Sequence, residues 1–264
     1  MPSSAMFSET HQPHTAELSK PVPSPAIPAN KGWVDFFARI WRELLRDGLD
    51  ITVEAYRGRG LFLTCLGILV AVSACAVMQH DAILLKAIRV SRSAANFSSV
   101  DEAARWLSYW GDFLGFNVVA FLVLGLAAMV RNSSFLRMVV IASMLGTIIA
   151  GGASNLVRFT AGRARPVMRV EPGFYGPRLD AGYHGFPSAH TATAFGASVP
   201  VAIALPPVGI PMMLMSCGVA WSRIQNNRHY PADILAAFGI ACVGGAPLGF
   251  AARRWRRSHQ RDNP

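Results

Sequence analysis

The sequence is poor in charged residues, and the charges that it has are unbalanced. Only 15% of its 264 residues are Asp, Glu, Lys or Arg, whereas about a quarter is usual for soluble domains. Lysine and arginine number 25 against 15 acidic residues, which gives a formal net charge of +10. The basic residues stand at the ends of apolar runs and do not form one patch with interleaved aromatics, so we expect no nucleic-acid partner. They are placed to meet lipid headgroups or a phosphate.

Cysteine is also scarce, and no cleavable signal sequence is evident. Cys65, Cys75, Cys217 and Cys242 lie inside apolar stretches, without the spacing of a metal site or of a disulfide framework. The first long apolar run begins near Leu61, which is too far from the N-terminus for a cleavable signal peptide. We therefore expect this run to act as an uncleaved insertion signal.

Six apolar segments dominate the chain and predict an all-α integral membrane protein. They cover residues 61–79, 113–130, 138–157, 191–205, 208–221 and 232–250. A membrane-spanning helix needs roughly 17–25 residues. The fourth and fifth segments are short and are interrupted by prolines, so five spans is the alternative. We expect a bundle of about six transmembrane helices within residues 59–252, with the lipid bilayer as its surroundings.

The flanking segments differ in composition from this core. Residues 1–30 are rich in Pro, Ser, Thr and Ala without an apolar period, which predicts a disordered tail. Residues 31–58 alternate apolar and arginine positions at helical spacing, which favours an interfacial amphipathic helix over a surface helix packed on the protein. Residues 253–264 form a basic tail that the positive-inside rule assigns to the cytoplasm together with the N-terminus. We expect a bacterial inner-membrane protein whose loops 158–190 and 222–231 face the periplasm.

Three groups of polar residues stand at the ends of the apolar segments. They read Arg158-x6-Arg165-Pro166, Pro187-Ser188-Ala189-His190 and Ser222-Arg223-x5-His229-x3-Asp233. Ionisable residues beside a bilayer are costly, which makes them candidates for function. The fork of an arginine can bind two phosphate oxygens, and helix starts near Ser188 and Pro231 offer backbone N–H groups to an anion. The spacing therefore predicts a phosphate site built from Arg158, Arg165 and Arg223.

Two histidines and one carboxylate are the candidate catalytic groups. His229 and Asp233 are four residues apart at a helix start, which can bring the carboxylate beneath the imidazole. A carboxylate that accepts one ring N–H leaves the other nitrogen unprotonated and nucleophilic toward phosphorus. His190 is then the general acid that protonates the leaving alkoxide and later activates water as a base. Because the arginines stabilise the developing charge, we expect neither a metal nor a cofactor.

The three motifs resemble those of the type 2 phosphatidic acid phosphatase superfamily, which also includes vanadium haloperoxidases. The family pattern is K-x6-R-P, P-S-G-H and S-R-x5-H-x3-D, from which the chain departs at Arg158 and Ala189. The resemblance implies that His229 forms a phosphohistidine, that Asp233 orients it and that His190 is the acid. It implies that the phosphate is held at the outer membrane face by Arg158, Arg165, Ser188, Arg223 and, if its backbone N–H is suitably placed, Ala189.

The function that this resemblance implies is a membrane lipid phosphatase acting on a phosphate monoester or a diphosphate. Candidate substrates are undecaprenyl diphosphate, the phosphates of lipid A, phosphatidylglycerol phosphate and phosphatidic acid. The alternatives are a lipid phosphotransferase with the same intermediate, a vanadate-dependent peroxidase and a non-catalytic lipid-phosphate-binding protein. Six apolar segments argue against the peroxidase, and the presence of both histidines argues against a non-catalytic protein. Headgroup contacts are expected from residues 80–112 and 167–186, where no motif is recognisable.

Overall fold

The computed structural model describes residues 31–261 except Arg92, residues 111–114 and Phe116. Regular secondary structure in this part of the chain is helical, which confirms the all-α class. In chain order the α-helices are α1 (Lys31–Tyr56), α2 (Gly60–Met78), α3 (Asp81–Ile88), α4 (Phe97–Trp110), α5 (Val118–Val130), α6 (Ser134–Ala161), α7 (Ala189–Ala204), α8 (Pro206–Gln225) and α9 (Pro231–Arg261).

The chain divides into two compact units, residues 1–41 and residues 42–264. Within the first unit the structure describes only the beginning of α1, and the tail predicted for residues 1–30 lies outside the described residues. The second unit contains the rest of the helices and all three motifs. The helical part of the prediction for residues 31–58 matches α1, whereas its position in the membrane interface stays a prediction.

Helices α2, α5, α6, α7, α8 and α9 correspond to the six predicted apolar segments. Among the described residues, α2, α6 and residues 231–258 of α9 are long and apolar enough to cross a membrane, and α5 is a shorter apolar helix. Prolines lie inside α7, at Pro200, and inside α8, at Pro211. Three spans thus have the required length and composition, and the count of six stays a prediction.

Helices α6, α7 and α9 pack closely against one another and form the centre of the second unit. A Cβ atom on Gly146 of α6 would lie 2.4 Å from the carbonyl oxygen of Gly196 of α7, and a Cβ atom on Gly196 would lie 2.6 Å from the oxygen of Gly146. The two backbones are therefore in direct contact. The Ser143 hydroxyl also donates to the carbonyl of Ala197 at 2.8 Å. These contacts fix α6 against α7, whose ends carry motif residues.

The segment between α2 and α5 contains α3 and α4 and is tied to the C-terminal end of α8. The side chain of Gln225 accepts from the Val90 N–H at 2.9 Å and donates to the Val90 carbonyl at 3.4 Å. Arg89 donates to the Gln225 carbonyl at 3.2 Å, and Asn226 donates to the Ala104 carbonyl at 3.2 Å. The end of α8 that carries the third motif is therefore held by residues that precede the first motif.

Candidate active site

The motif residues lie where the ends of four helices meet the long loop 162–188. Arg158 is in the last turn of α6 and Arg223 is in the last turn of α8. Ser188 is the N-cap residue of α7, so Ala189 and His190 are its first two helical residues. His229 precedes α9, and Asp233 is in the first turn of that helix. Segments far apart in sequence thus contribute to one region.

The loop that follows α6 folds back on itself through glycine. Gly162 ends α6 with φ of +59°, and a Cβ atom there would lie 1.7 Å from the carbonyl oxygen of Gly176. Only glycine fits both that backbone conformation and that contact. Further along, the Gly185 N–H donates to the Arg163 carbonyl at 2.8 Å. The loop therefore brings Gly185 beside Arg163, near the end of the first motif.

His229 is buried, and its ring is held by a main-chain carbonyl. The Nδ1 atom lies 2.7 Å from the carbonyl oxygen of Gly185, whereas Oδ2 of Asp233 is 3.6 Å away. Because a carbonyl oxygen can only accept, Nδ1 carries the proton and Nε2 keeps its lone pair. The sequence predicted that Asp233 accepts this N–H, and that prediction is wrong, because the acceptor is the Gly185 carbonyl. The resulting tautomer is nevertheless the one expected.

The carboxylate of Asp233 is directed to other partners, which explains this difference. Its Oδ1 accepts from Nη1 of Arg163 at 2.5 Å, and its Oδ2 accepts from the Tyr230 N–H at 2.7 Å. Tyr230 precedes the first residue of α9, so the second bond is one of the two bonds of a capping box, the bond from the N-cap N–H to the side chain three residues later. The position of Asp233 serves the start of α9 as well as the histidine.

The first turn of α9 has no N–H group left for a phosphate. The Ala232 N–H donates to Oδ1 of Asp81 at 2.9 Å, and the N–H groups of Asp233 and Ile234 donate to the Tyr230 carbonyl at 3.0 and 3.4 Å. Pro231 has no N–H group. The expectation that this helix start binds the phosphate is therefore wrong, because carboxylates and its own backbone satisfy it.

Arg163 and Asp81 belong to the site, although the sequence motifs did not identify them. Nη2 of Arg163 lies 2.6 Å from Oδ2 of Asp81, and these side chains are only 4% and 3% exposed. Asp81 is the only acidic residue between Glu54 and Asp101, directly after the first apolar run. A lone carboxylate in that position is the signal that could have identified it.

Burial and charge shift the pKa values of this cluster in opposite directions. Burial alone would lower the pKa of Arg163, but the carboxylates of Asp233 and Asp81 more than reverse this effect and raise it. Burial raises the pKa of Asp81, against the lowering by its Ala232 and Arg163 hydrogen bonds. Arg163 therefore stays fully charged inside the protein.

His229 has a pKa below the ordinary value of 6.5. Burial is the largest cause, and the nearby positive charges of Arg223 and Arg165 lower it further, whereas Asp233 raises it. A histidine in these surroundings is neutral at pH 7. The lone pair on Nε2 is therefore available at physiological pH.

The arginines of the motifs form a cationic group around His229. Burial lowers the pKa of Arg165, and the positive charges of Arg228 and Arg158 lower it further. Nε and Nη2 of Arg165 lie 3.4 Å from the His184 carbonyl. Nη1 of Arg223 donates to the Ser108 hydroxyl of α4. Arginines this close together destabilise one another until an anion joins them, so the group is suited to a phosphate.

The start of α7 differs from that of α9. The Ser188 N–H donates to the main-chain carbonyl of Asp233 at 3.2 Å, and the Ser188 hydroxyl accepts from Thr191 at 3.0 Å without capping α7. Ala189 is helical and is not among the described residues with positive φ. The replacement of glycine by alanine at this position therefore introduces no backbone strain. His190 follows it and is half-buried.

The donors in this site suit an anion rather than a metal. In the part of the chain that the structure describes, no group of three or more His, Cys, Asp or Glu side chains is arranged to hold a metal ion. Arg158, Arg165 and Arg223 carry only N–H donors at their charged ends. Phosphate binding and transfer are the chemistry that this combination of arginines and a neutral imidazole can support.

Comparison with known proteins shows a similarity that covers the motif region. The sequence model described as the PAP2 superfamily matches residues 138–257. Among solved structures, the chain resembles the first transmembrane PAP2 type phosphatidylglycerolphosphate phosphatase from Bacillus subtilis, with a TM-score of 0.51 and 16% identity over 74% of this chain and 96% of that chain. It also matches LpxE from Aquifex aeolicus, with a TM-score of 0.44 and 17% identity over 66% and 94% of the two chains. No curated protein sequence matches it significantly.

Proposed function

We propose that this chain, a member of the PAP2 superfamily through residues 138–257, is an integral membrane phosphatase that hydrolyses a phosphate monoester or diphosphate of a membrane lipid. The observation that carries the proposal is the His229 imidazole, held by Gly185 as the Nδ1–H tautomer within a group of arginines. Such an imidazole presents a lone pair to an anion that the same arginines would bind.

The first step transfers the phosphoryl group to the protein. The Nε2 lone pair of His229 attacks phosphorus, an N–P bond forms, and the bond from phosphorus to the lipid oxygen breaks. His190 gives its proton to that oxygen, so the leaving group departs as a neutral alcohol. If the substrate is a lipid diphosphate, the leaving group is the lipid monophosphate. Proton donation to the leaving oxygen contributes on the order of 10²–10⁴-fold to such reactions.

The second step returns the histidine to its starting state. A water molecule attacks the phosphohistidine, an O–P bond forms, and the N–P bond breaks with its electrons returning to Nε2. The now neutral His190 accepts the proton of the water. Inorganic phosphate leaves, and both histidines have the protonation states in which they began.

The arginines stabilise the charge that develops during both steps. Arg165 and Arg223 lie close enough to His229 to lower its pKa, and Arg158 lies close enough to Arg165 to lower that of Arg165. Fixed cations at the reacting phosphate favour the transition state more than the bound substrate when charge accumulates on the equatorial oxygens. We assign these three arginines, the Ser188 hydroxyl and the N–H of Ala189 to phosphate binding.

Asp233 acts on the imidazole as a charge. At 3.6 Å from Nδ1 its carboxylate is too distant for a strong hydrogen bond. It is near enough to favour the positive charge that the ring acquires when Nε2 bonds to phosphorus. Its hydrogen bonds to Arg163 and Tyr230 keep it in that position.

The position of the site favours a lipid as the substrate. Arg158 lies in the last turn of α6 and Asp233 in the first turn of α9, and both helices have membrane-spanning length. The phosphate would therefore bind at one face of the bilayer, where a lipid places its headgroup. Phosphatidylglycerol phosphate, phosphatidic acid, undecaprenyl diphosphate and lipid A are the candidates. We place this face in the periplasm and both termini in the cytoplasm of a bacterial inner membrane.

The decisive experiment measures phosphate release by the full chain, purified in detergent, from each of these four lipids in the presence of EDTA. We expect release from at least one lipid, an acid-labile phosphoenzyme on rapid quenching with ³²P-labelled substrate, and neither result with His229→Ala. Equal release by wild type and His229→Ala, or no release from any lipid, would contradict the proposal. A fluorescent protein fused after residue 264 should fluoresce if that end is cytoplasmic.

A further inference from the structure

A buried cluster of three charges lies behind the proposed nucleophile. Asp81 begins α3, Arg163 follows α6 and Asp233 lies in the first turn of α9, and none of these side chains is more than 4% exposed. Each terminal nitrogen of the Arg163 guanidinium contacts a different carboxylate, Nη1 that of Asp233 and Nη2 that of Asp81. The guanidinium carbon also lies 4.8 Å from the centre of the Tyr230 ring. These contacts leave Arg163 little freedom to change its orientation.

Arg163 holds both of the groups that lie nearest to Nδ1 of His229. Its side chain donates to Asp233, whose carboxylate is 3.6 Å from that nitrogen. Its main-chain carbonyl accepts from the N–H of Gly185, whose own carbonyl is 2.7 Å from the same nitrogen. Arg163 therefore determines the positions of the Gly185 carbonyl and of the Asp233 carboxylate.

The net charge of the cluster depends on Asp81. Arg163 alone beside Asp233 would form a neutral pair, in which the guanidinium offsets part of the effect of the carboxylate on the imidazole. Asp81 adds a second carboxylate to the same guanidinium, so the cluster as a whole carries one negative charge. The other groups that act on the His229 ring are the cations Arg165 and Arg223, with Tyr230 adjacent in sequence and His190 in the first turn of α7. A net negative charge behind the ring opposes those cations.

We infer that Asp81 and Arg163 are positioning residues of this site: together they fix the orientation, and the net charge, that Asp233 and its surroundings present to His229. The inference rests on the proposed phosphatase function. The imidazole becomes positively charged when Nε2 bonds to phosphorus, so a negative cluster stabilises the phosphohistidine and the transition state before it. Asp81 would then contribute to the chemical step without contacting the substrate.

A purely structural role for Asp81 is the alternative to be tested. Its Oδ1 accepts from the Ala232 N–H, so it also ties α3 to the start of α9. Asp81→Asn keeps an oxygen for that bond but removes both the negative charge and the oxygen that accepts from Arg163. Asp50→Asn is the matched control, because Asp50 pairs with Arg46 on the surface of α1, where the two side chains are 72% and 84% exposed.

The experiment compares the pH profiles of kcat/KM, the values of kcat and KM, and Tm for these variants. Asp81→Asn should lower kcat on the order of tenfold or more, which is the effect of removing the hydrogen-bond partner behind a metal ligand in metalloenzymes. KM should change less than twofold. Loss of the negative charge disfavours imidazolium, so the acidic limb should move to lower pH. Asp50→Asn should leave every value unchanged.

A double variant separates charge from structure. The double variant, Asp81→Asn with Arg163→Gln, removes one charge of each sign, so the acidic limb of its pH profile should return to at least the wild-type pH. Its kcat should stay low, because the Arg163 guanidinium that holds Asp233 is missing. An unmoved limb in Asp81→Asn with a lower Tm would show a structural role and overturn the inference. If Asp81→Asn does not fold, Arg163→Gln and the double variant, which differ only at residue 81, give the same comparison. The limb should then lie at lower pH in the double variant, and equal limbs would overturn the inference.

A measurement that does not depend on activity distinguishes this inference from the proposed function. In ¹⁵N-histidine-labelled protein, the resonances of His229 are assigned by their loss in His229→Ala and are followed through a pH titration. The titration midpoint should be lower in Asp81→Asn than in wild type. If wild type releases no phosphate but the midpoint moves, the proposed function fails and the charge coupling stands. An unmoved midpoint overturns the coupling whatever the activity.

Discussion

The Nδ1 nitrogen of His229 lies 2.7 Å from the main-chain carbonyl oxygen of Gly185. This contact fixes the ring tautomer with a neutral acceptor whose position is determined by the backbone. Asp233 is thereby available for Arg163 and for the start of α9. The proposed nucleophile therefore depends on the loop 162–188, a segment in which only the ends carry recognisable motifs.

The pH dependence of the reaction should show the low pKa of His229. Burial favours the neutral ring, so the protonated, inactive form appears only below the ordinary value of 6.5. We expect the acidic limb of kcat/KM to have an apparent pKa below 6.5, with full nucleophile activity at pH 7 and loss on acidification. Because the folded protein binds this proton less readily than the unfolded chain, stability should also fall as the pH drops below 6.5. A limb centred above 6.5 would contradict this assignment.

Substitution of Gly185 by alanine should impair the reaction through the backbone. A Cβ atom there would lie 2.7 Å from the Arg163 carbonyl oxygen and 3.3 Å from that of Ala164, so the main chain must move. We expect kcat to fall on the order of 100-fold, the effect that misplacement by about 1 Å can have. Gly152→Ala is the matched control, because a Cβ atom there meets nothing within 4 Å. Unchanged kcat in Gly185→Ala would show that the contact between the His229 ring and the Gly185 carbonyl is dispensable.

Arg158 tests whether the first motif needs arginine or only a cation. Arg158→Lys keeps the charge and restores the family residue, so kcat/KM should stay within about threefold. Arg158→Met removes the charge, and loss of a charge-assisted hydrogen bond of about 1.5–3 kcal/mol corresponds to a decrease of roughly 10- to 150-fold. Arg46→Met on the surface of α1, where the side chain is 84% exposed, should have no effect. Wild-type kinetics in Arg158→Met would remove this residue from the phosphate site.

His190 should matter most when the leaving group needs a proton. For His190→Ala, we expect single-turnover release of an alkyl alcohol to slow on the order of 10²-fold or more. Release of p-nitrophenolate from p-nitrophenyl phosphate should slow much less, because this anion leaves without protonation. Equal losses for the two substrates would show that His190 does not act as the acid in the first step.

Most of the fold followed from the sequence because apolar length is a local property. The six apolar segments correspond to α2 and α5–α9, and their ends differ from the helix ends by at most five residues, except that α9 continues 11 residues beyond the predicted end at 250. The amphipathic pattern of residues 31–58 likewise matches α1. The short helix α3 was less evident, because the position of the segment that contains it depends on contacts with the distant Gln225.

The motif residues of the site were identified from sequence, but their hydrogen-bond partners were not. His229 and Asp233 are four residues apart, which suggested a direct bond, whereas the structure gives each a partner more than 40 residues away. Asp81 and Arg163 are separated by 82 residues, and no local pattern relates them. Motif spacing predicts which residues approach the substrate, while the contacts behind those residues depend on how helices from distant parts of the chain meet.

The contact between Gly146 and Gly196 has a consequence for residues that neither glycine touches. By helix geometry, Gly146 lies about 18 Å along α6 from Arg158, and Gly196 lies about 9 Å along α7 from His190. Any side chain at either glycine would push α6 and α7 apart and thereby move the ends of both helices away from each other. The separation of a proposed phosphate-binding arginine from the proposed acid is thus determined at a contact between two helices that no reactant reaches.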